Sequence, residues 1–347
     1  DVIALAVCSS ELAAQIDDTP GCLPELLRLL ESALGFKADV RARHWSAVRP
    51  KLAEFVLFSE FALDLPGGLP EALAAVPRAD ERFRSTVCAA CDRMRADSHL
   101  SEAYMALAQA VEAELHLPQL MPDGFEPGTR DTFAFEERRL LGRAVEALLA
   151  GDSGAVRTVC EGRRASIWRQ QAERTSAWVT VERALTSIEA SLRVTTELPG
   201  AKTLKNLVQN YVKATWSDLD RAYRLFEAAL TACTDEDALA PAVDLCRRRY
   251  REAAEALQDR LLKSVEKEGW PPEGVPRQTA VFDEHVKPPL ERREKTVFFL
   301  VDSLRYEMGR DLAEALEEAG GVALSHAAVV PPTVTPTGMA ALMPGAD

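Results

Sequence analysis

The apolar positions of this chain follow several patterns in turn. Near the N-terminus VIALAVCSS is a short continuous run that predicts a strand, LPELLRLLESALG has helical spacing, and VRARHW reads as a second strand. Residues 1–82 are therefore expected to form a small α/β unit. Within it KLAEFVLFSEFALDLP, dense in Phe and Leu and closed by the turn LPGGLP, is expected to be buried. From Phe83 to about Lys267 the pattern is helical almost throughout, so 83–268 is expected to be a helical region. In DTFAFEERRLLGRAVEALLAGD, Asp131 or Thr132 can cap, Glu136 and Glu137 load the positive helix end, and Gly151 supplies the stop. Long amphipathic stretches separated by turns such as ELPGAK then predict antiparallel helices of a bundle.

The pattern breaks at residues 269–295, GWPPEGVPRQTAVFDEHVKPPLERREK, where prolines and charges predict a connector or a chain wrapping a surface in extended form. Beyond it, in 296–347, TVFFLVD is a continuous apolar run of the kind buried on both faces of a parallel sheet. LRYEMGRDLAEALEEAGG predicts a helix ending on glycine, and VALSHAAVV a second strand. The expectation is a βαβ unit opening a doubly wound sheet. The fold class is thus α/β and mainly α, in several domains.

Composition narrows the function classes. The 347 residues carry a formal charge of -13, which argues against non-specific nucleic-acid binding by the chain as a whole and leaves a local basic face open. No apolar run approaches the ~20 residues of a membrane span, and the first residues lack the features of a signal peptide, so a cytoplasmic protein without membrane contact is expected. Seven scattered cysteines fit reduced thiols. The abrupt start at Asp1, without methionine, and the stop after LMPGAD suggest a fragment of a longer protein.

Candidate chemistry concentrates at the C-terminal end. Asp302 follows the apolar run TVFFLV, where a carboxylate can hold a metal ion or a catalytic water, or simply cap a helix. The segment PPTVTPTGMAALMPG follows the second expected strand, so Thr335 is expected within reach of Asp302. A threonine hydroxyl is a weak nucleophile unless a base or metal ion activates it. Pro331, Pro332 and Pro336 restrict its backbone, and Thr337 reads as the cap of a following helix. Other signals admit plainer readings. Cys88 and Cys91 form a CxxC in a helical context, and RRRYRE around Tyr250 suits either a phosphate backbone or a solvated helix face. Arg305 and Glu307 either orient site ligands or form a surface pair, and Trp168, Trp178 and Trp216 are expected in bundle cores, on helices.

VFFLVDSLRYEMGRDLAEAL followed by VVPPTVTPTGMAALMPG resembles the start of the PglZ domain, a branch of the alkaline phosphatase superfamily. VRARHWSAVRPKLAEFVLFSEFALDLPGGLPEAL and DTFAFEERRLLGRAVEALLAGD resemble the upstream regions of PglZ proteins of bacterial phage-exclusion (BREX) systems. The resemblance implies Thr335 as nucleophile and metal ligand, Asp302 as metal ligand, Pro332 and Thr333 opening the motif and Gly345 closing it. It further implies phosphoester hydrolysis with two divalent cations, zinc by expectation, ~4 Å apart. Other BREX proteins are the implied partners, with a phosphoprotein, nucleotide or DNA as substrate. The superfamily site also needs downstream aspartates and histidines. The histidines present, His44, His99, His116, His285 and His326, are isolated and upstream of the motif, so this chain alone is expected not to turn over substrate. The alternative is a helical interaction scaffold with a degenerate hydrolase domain.

Overall fold

In the computed structural model, residues 1–346 are described apart from positions 40, 123, 214, 234 and 235. The chain divides into two compact units, Asp1–Ala147 with Gly154–Trp178, and Leu148–Ser153 with Val179–Asp347. Helices dominate both.

The first unit differs from the α/β expectation. VIALAVC is a helix, α1 (Val2–Cys8), that buries Ile3, Ala4, Ala6, Val7 and Cys8. A short apolar run is compatible with either a strand or a buried helix, and here contacts with the following helices decide for the helix. In VRARHW, position 40 lies outside the described residues, 41–44 form irregular backbone, and Trp45 opens α2 (Trp45–Asp64). That helix is the centre of the unit. From Phe55 to Phe61 every residue is buried, the mark of a helix enclosed on all sides. It packs on α1, α3 (Arg84–Ala96) and α4 (Ser101–Glu114). Phe61 meets Phe133 and Phe135 edge-on at 5.4 and 5.7 Å.

Buried charge is the other feature of this unit. Glu60, 0% exposed, accepts two hydrogen bonds from Arg95 (2.6 and 2.7 Å) and one from Thr132 Oγ1 (2.9 Å). Helix α5 (Ala134–Ala150) begins beside a second cluster. Glu136 reaches back to the Phe133 N–H at 2.9 Å, while Glu137 accepts from Trp178 Nε1 (2.7 Å), Ser166 Oγ and Arg163. Both glutamates are buried, so they do more than load a helix end. Asp131 accepts from Arg163 and the Ile167 N–H, and Gly151, with φ 77°, ends the helix as its sequence position indicates. Trp168, Trp178 and Trp216 are fully buried, but Trp168 and Trp216 lie in turns, not helices.

A close approach shapes the end of α2. The N–H of Arg130 and the hydroxyl of Thr129 donate to the Asp64 carboxylate at 2.7 and 3.2 Å, which draws Gly128 against the helix. A Cβ at Gly128 would lie 2.8 Å from the Asp64 carbonyl oxygen, closer than backbone tolerates. Gly128→Ala is expected to cost about 1–3 kcal/mol, lowering the melting temperature by roughly 3–10 °C in a calorimetric scan. An unchanged melt would show that this turn yields freely.

In the second unit, α6 (Ala172–Glu197), of which residues from Val179 onward belong here, is followed by the turn Leu198–Gly200 and then α7 (Leu204–Lys213), α8 (Asp218–Thr231) and α9 (Glu236–Glu268). Their core gathers Val194, Leu207, Trp216, Leu219 and Ala253, and Trp216 Nε1 donates to Glu197 at 2.6 Å. The proline-rich connector is folded into short turns and the helix Lys287–Glu291, not extended throughout. TVFFLVD forms no strand among the described residues. Its backbone runs unpaired, with Val297 74% and Phe299 79% exposed. VALSHAAVV is likewise unpaired except for an isolated parallel bridge between Arg277 and Ala328. A parallel strand is held by ladder neighbours and covered faces, and the described residues supply neither here. The helix between the two segments is present as α10 (Tyr306–Leu316).

Candidate active site

Asp302 lies in a turn between the unpaired apolar run and α10, followed by Ser303 in a left-handed conformation, φ 57°. It caps no helix, since the N-cap of α10 is Arg305. Thr335 opens the six-residue helix α11 (Thr335–Ala340), whose N-cap is Val334; Thr337 is therefore inside the helix and not its cap. The two site residues meet across 33 positions. Thr335 Oγ1 donates to the Asp302 carboxylate at 3.2 Å from Oδ2 and 3.3 Å from Oδ1. Both are exposed, and Gly345, φ 72°, turns the chain after α11.

Helix α10 is tied down by charge. Glu307, 0% exposed, accepts from Arg224 Nη2 at 2.8 Å and Nε at 3.1 Å, and pairs with Arg305 at 3.0 Å. Arg224 also donates to Asp311, Arg221 to Asp311 (2.5 Å) and Glu314 (3.0 Å), and Arg310 to Asp218 (2.7 Å) and Ser217 (2.8 Å). Burial acts to raise the Asp311 carboxyl, but Arg224 and Arg221 outweigh it and hold it below the ordinary range. Tyr306 Oη adds a bond to the Val212 carbonyl at 3.2 Å. Glu307 is buried and pairs with both Arg305 and Arg224, and with Arg224 it fixes the helix that follows Asp302. The complementary stripes, Arg221 and Arg224 on α8 and Glu307, Asp311 and Glu314 on α10, stand at helical spacing in the sequence.

The other sequence signals resolve into packing. Cys88 and Cys91 are buried on α3, and burial pushes both thiols up, away from reactive thiolate. Tyr250 stacks on Tyr223 at 3.7 Å and donates to Asp220 at 2.9 Å, so its ring face is already covered. Burial and Asp220 raise its hydroxyl, keeping it a donor. Beside it Arg247 is paired to Glu227 and Arg249 to Glu252. In the first unit an open cleft of about 590 Å³, lined by Asp92, Arg95 and Asp131 among others, contains neither Asp302 nor Thr335.

Two oxygens 3.2 Å apart suit one cation, because ligands at ~2.1 Å in a tetrahedral zinc site lie about 3.4 Å from each other. Among the described residues no group of three His, Cys, Asp or Glu is placed to hold a metal ion. Asp302 and Thr335 therefore fit part of a cation site and do not complete one.

Residues 281–347 match the family model of the BREX system PglZ alkaline phosphatase-like domain, the family named by the motif. A curated relative, "Alkaline phosphatase-like protein PglZ" of Bacillus cereus (strain H3081.97), is 27% identical over 136 residues, which cover 37% of this chain and 16% of the relative. The chain thus matches about a sixth of that relative's length. No solved structure matches. Among the described residues no helix is long and apolar enough to cross a membrane.

Proposed function

We propose that this chain contributes the nucleophile-bearing opening of a metal-dependent phosphoester hydrolase that serves a BREX phage-defence system. The observation that carries the reading is the bond from Thr335 to Asp302, made between two otherwise separate segments inside the region matched to the PglZ domain. In this reading Thr335 Oγ1 is the attacking oxygen, and the Asp302 carboxylate accepts its hydrogen bond and orients it. Both residues are exposed, which leaves the oxygen open to an incoming phosphoryl group. A divalent cation held by Asp302 and Thr335 would supply the Lewis acidity that lowers the hydroxyl pKa. Zinc is the proposed metal, other BREX proteins are the proposed partners, and the substrate is a phosphorylated protein, a nucleotide or DNA. A cytoplasmic location agrees with such a role.

The test is a chromogenic phosphodiester assay with Zn²⁺ or Mn²⁺. This chain by itself is expected to show no turnover above buffer, since two donors do not complete the site. A rate abolished by chelator would overturn that ligand count. In protein that does turn over, Asp302→Ala is expected to lower the rate about 10²-fold or more, with added metal recovering only part. An unchanged rate would remove Asp302 from the site.

A further inference from the structure

Residue Gln278, in the connector that the sequence marks as a linker, holds the loop that carries Thr335 at both of its ends. Its backbone N–H donates to the Ala328 carbonyl at 2.9 Å, and the Ala328 N–H returns a bond to the Pro276 carbonyl at 2.8 Å. This is the parallel bridge between Arg277 and Ala328, with the buried Ala328 at its centre. The Gln278 side chain then spans the loop itself. Its Nε2 donates to the Gly338 carbonyl at 3.0 Å, and its Oε1 accepts from the Val330 N–H at 3.4 Å. One residue before Val330, the Val329 carbonyl accepts from Trp270 Nε1 at 2.8 Å.

The chemistry requires an amide at this position. The carbonyls of the last turn of a helix lack intrahelical partners, and in the short helix α11 the Gly338 carbonyl takes its donor from Gln278. The Val330 N–H at the other end of the loop needs an acceptor. A primary amide offers a donor and an acceptor on one planar group, and only one orientation of it satisfies both. Thr335 lies between these two anchor points, and among the described residues its hydroxyl bonds to the exposed Asp302. An exposed pair at 3.2–3.3 Å does not fix a loop by itself, whereas two backbone anchors on either side limit where the hydroxyl can go.

We propose that Gln278 is a positioning residue, its amide clasping Val330 and Gly338 so that Thr335 stays against Asp302. The catalytic meaning of this clasp rests on the function proposed above; the clasp itself does not. The test therefore begins with amide hydrogen exchange on the full chain, which reads no turnover. Gln278→Ala is expected to speed exchange across residues 330–341 about tenfold, the loss of one or two net hydrogen bonds, while α8, α9 and the melting temperature stay as in the unmodified chain. Gln278→Glu keeps the acceptor and loses the donor, so protection is expected to fall at the Gly338 end and persist at the Val330 amide, a split that mere filling of space would not give. Unchanged exchange over 330–341 in Gln278→Ala, or equal protection of both ends in Gln278→Glu, would overturn the clasp. In protein with metal-dependent turnover, Gln278→Glu is expected to lower kcat about tenfold or more with KM within about twofold. An unchanged kcat alongside loosened exchange would refute positioning, and turnover surviving in Thr335→Ala would refute Thr335 as the attacking residue while leaving the exchange result standing.

Discussion

Thr335→Ala is expected to reduce metal-dependent phosphodiester turnover by about 10³-fold or more in protein that carries a complete site, and Thr335→Ser to restore most of it. The alanine removes the attacking oxygen and the bond to Asp302 but leaves the preceding residue, the N-cap Val334, in place, so α11 is expected to persist. The serine keeps oxygen at the same position and loses only the methyl group that limits its rotamers. Thr333 and Thr337 are the internal controls. Neither makes a side-chain bond to Asp302 among the described residues, and alanine at either is expected to retain turnover within about tenfold. The measurement is initial rate against metal concentration for the four variants. Full activity in Thr335→Ala, or a greater loss in Thr333→Ala, would move the nucleophile elsewhere.

The largest stability effect is expected away from this site. Arg95→Met removes the counterion of Glu60, which has no water to turn to at 0% exposure. It also ends the bonds from Arg95 to Tyr104 Oη (2.8 Å) and Asp92 (2.7 Å). Breaking a buried pair from one side costs about 3–5 kcal/mol, because the remaining charge stays desolvated and unpaired. For a unit of this size that corresponds to a fall of roughly 10–15 °C in the melting temperature, read by calorimetry. The double substitution Arg95→Met with Glu60→Gln removes the stranded charge as well and is expected to recover more than half of the loss. A single-variant loss below about 1 kcal/mol would mean that water reaches Glu60 when Arg95 is gone.

Elements whose local signals agree are legible in the sequence. The buried α2 follows from FVLFSEF, α5 and its stop from the run closed by Gly151, and the turn Leu198–Gly200 from ELPGAK. The acidic stripe of α10 is visible there too, but not its guanidinium partners on α8, since a helical stripe does not name the helix it faces. Gln278 carries no signal at all. A glutamine in a polar connector looks the same whether its amide meets water or clasps a loop 52 and 60 residues away.

By itself the sequence determined the helical periodicity of the central region and its turn and stop residues, because spacing, side-chain volume and backbone restriction are local properties. Tertiary contacts decided the rest. VIALAVC is a helix because its apolar faces pack on neighbouring helices, whereas VFFLV stays unpaired because strand pairing needs partners that no single segment contains. Burial turned Glu60, Glu137 and Glu307 from ordinary helix charges into fixed ion pairs, since only the fold sets how far a charge lies from water.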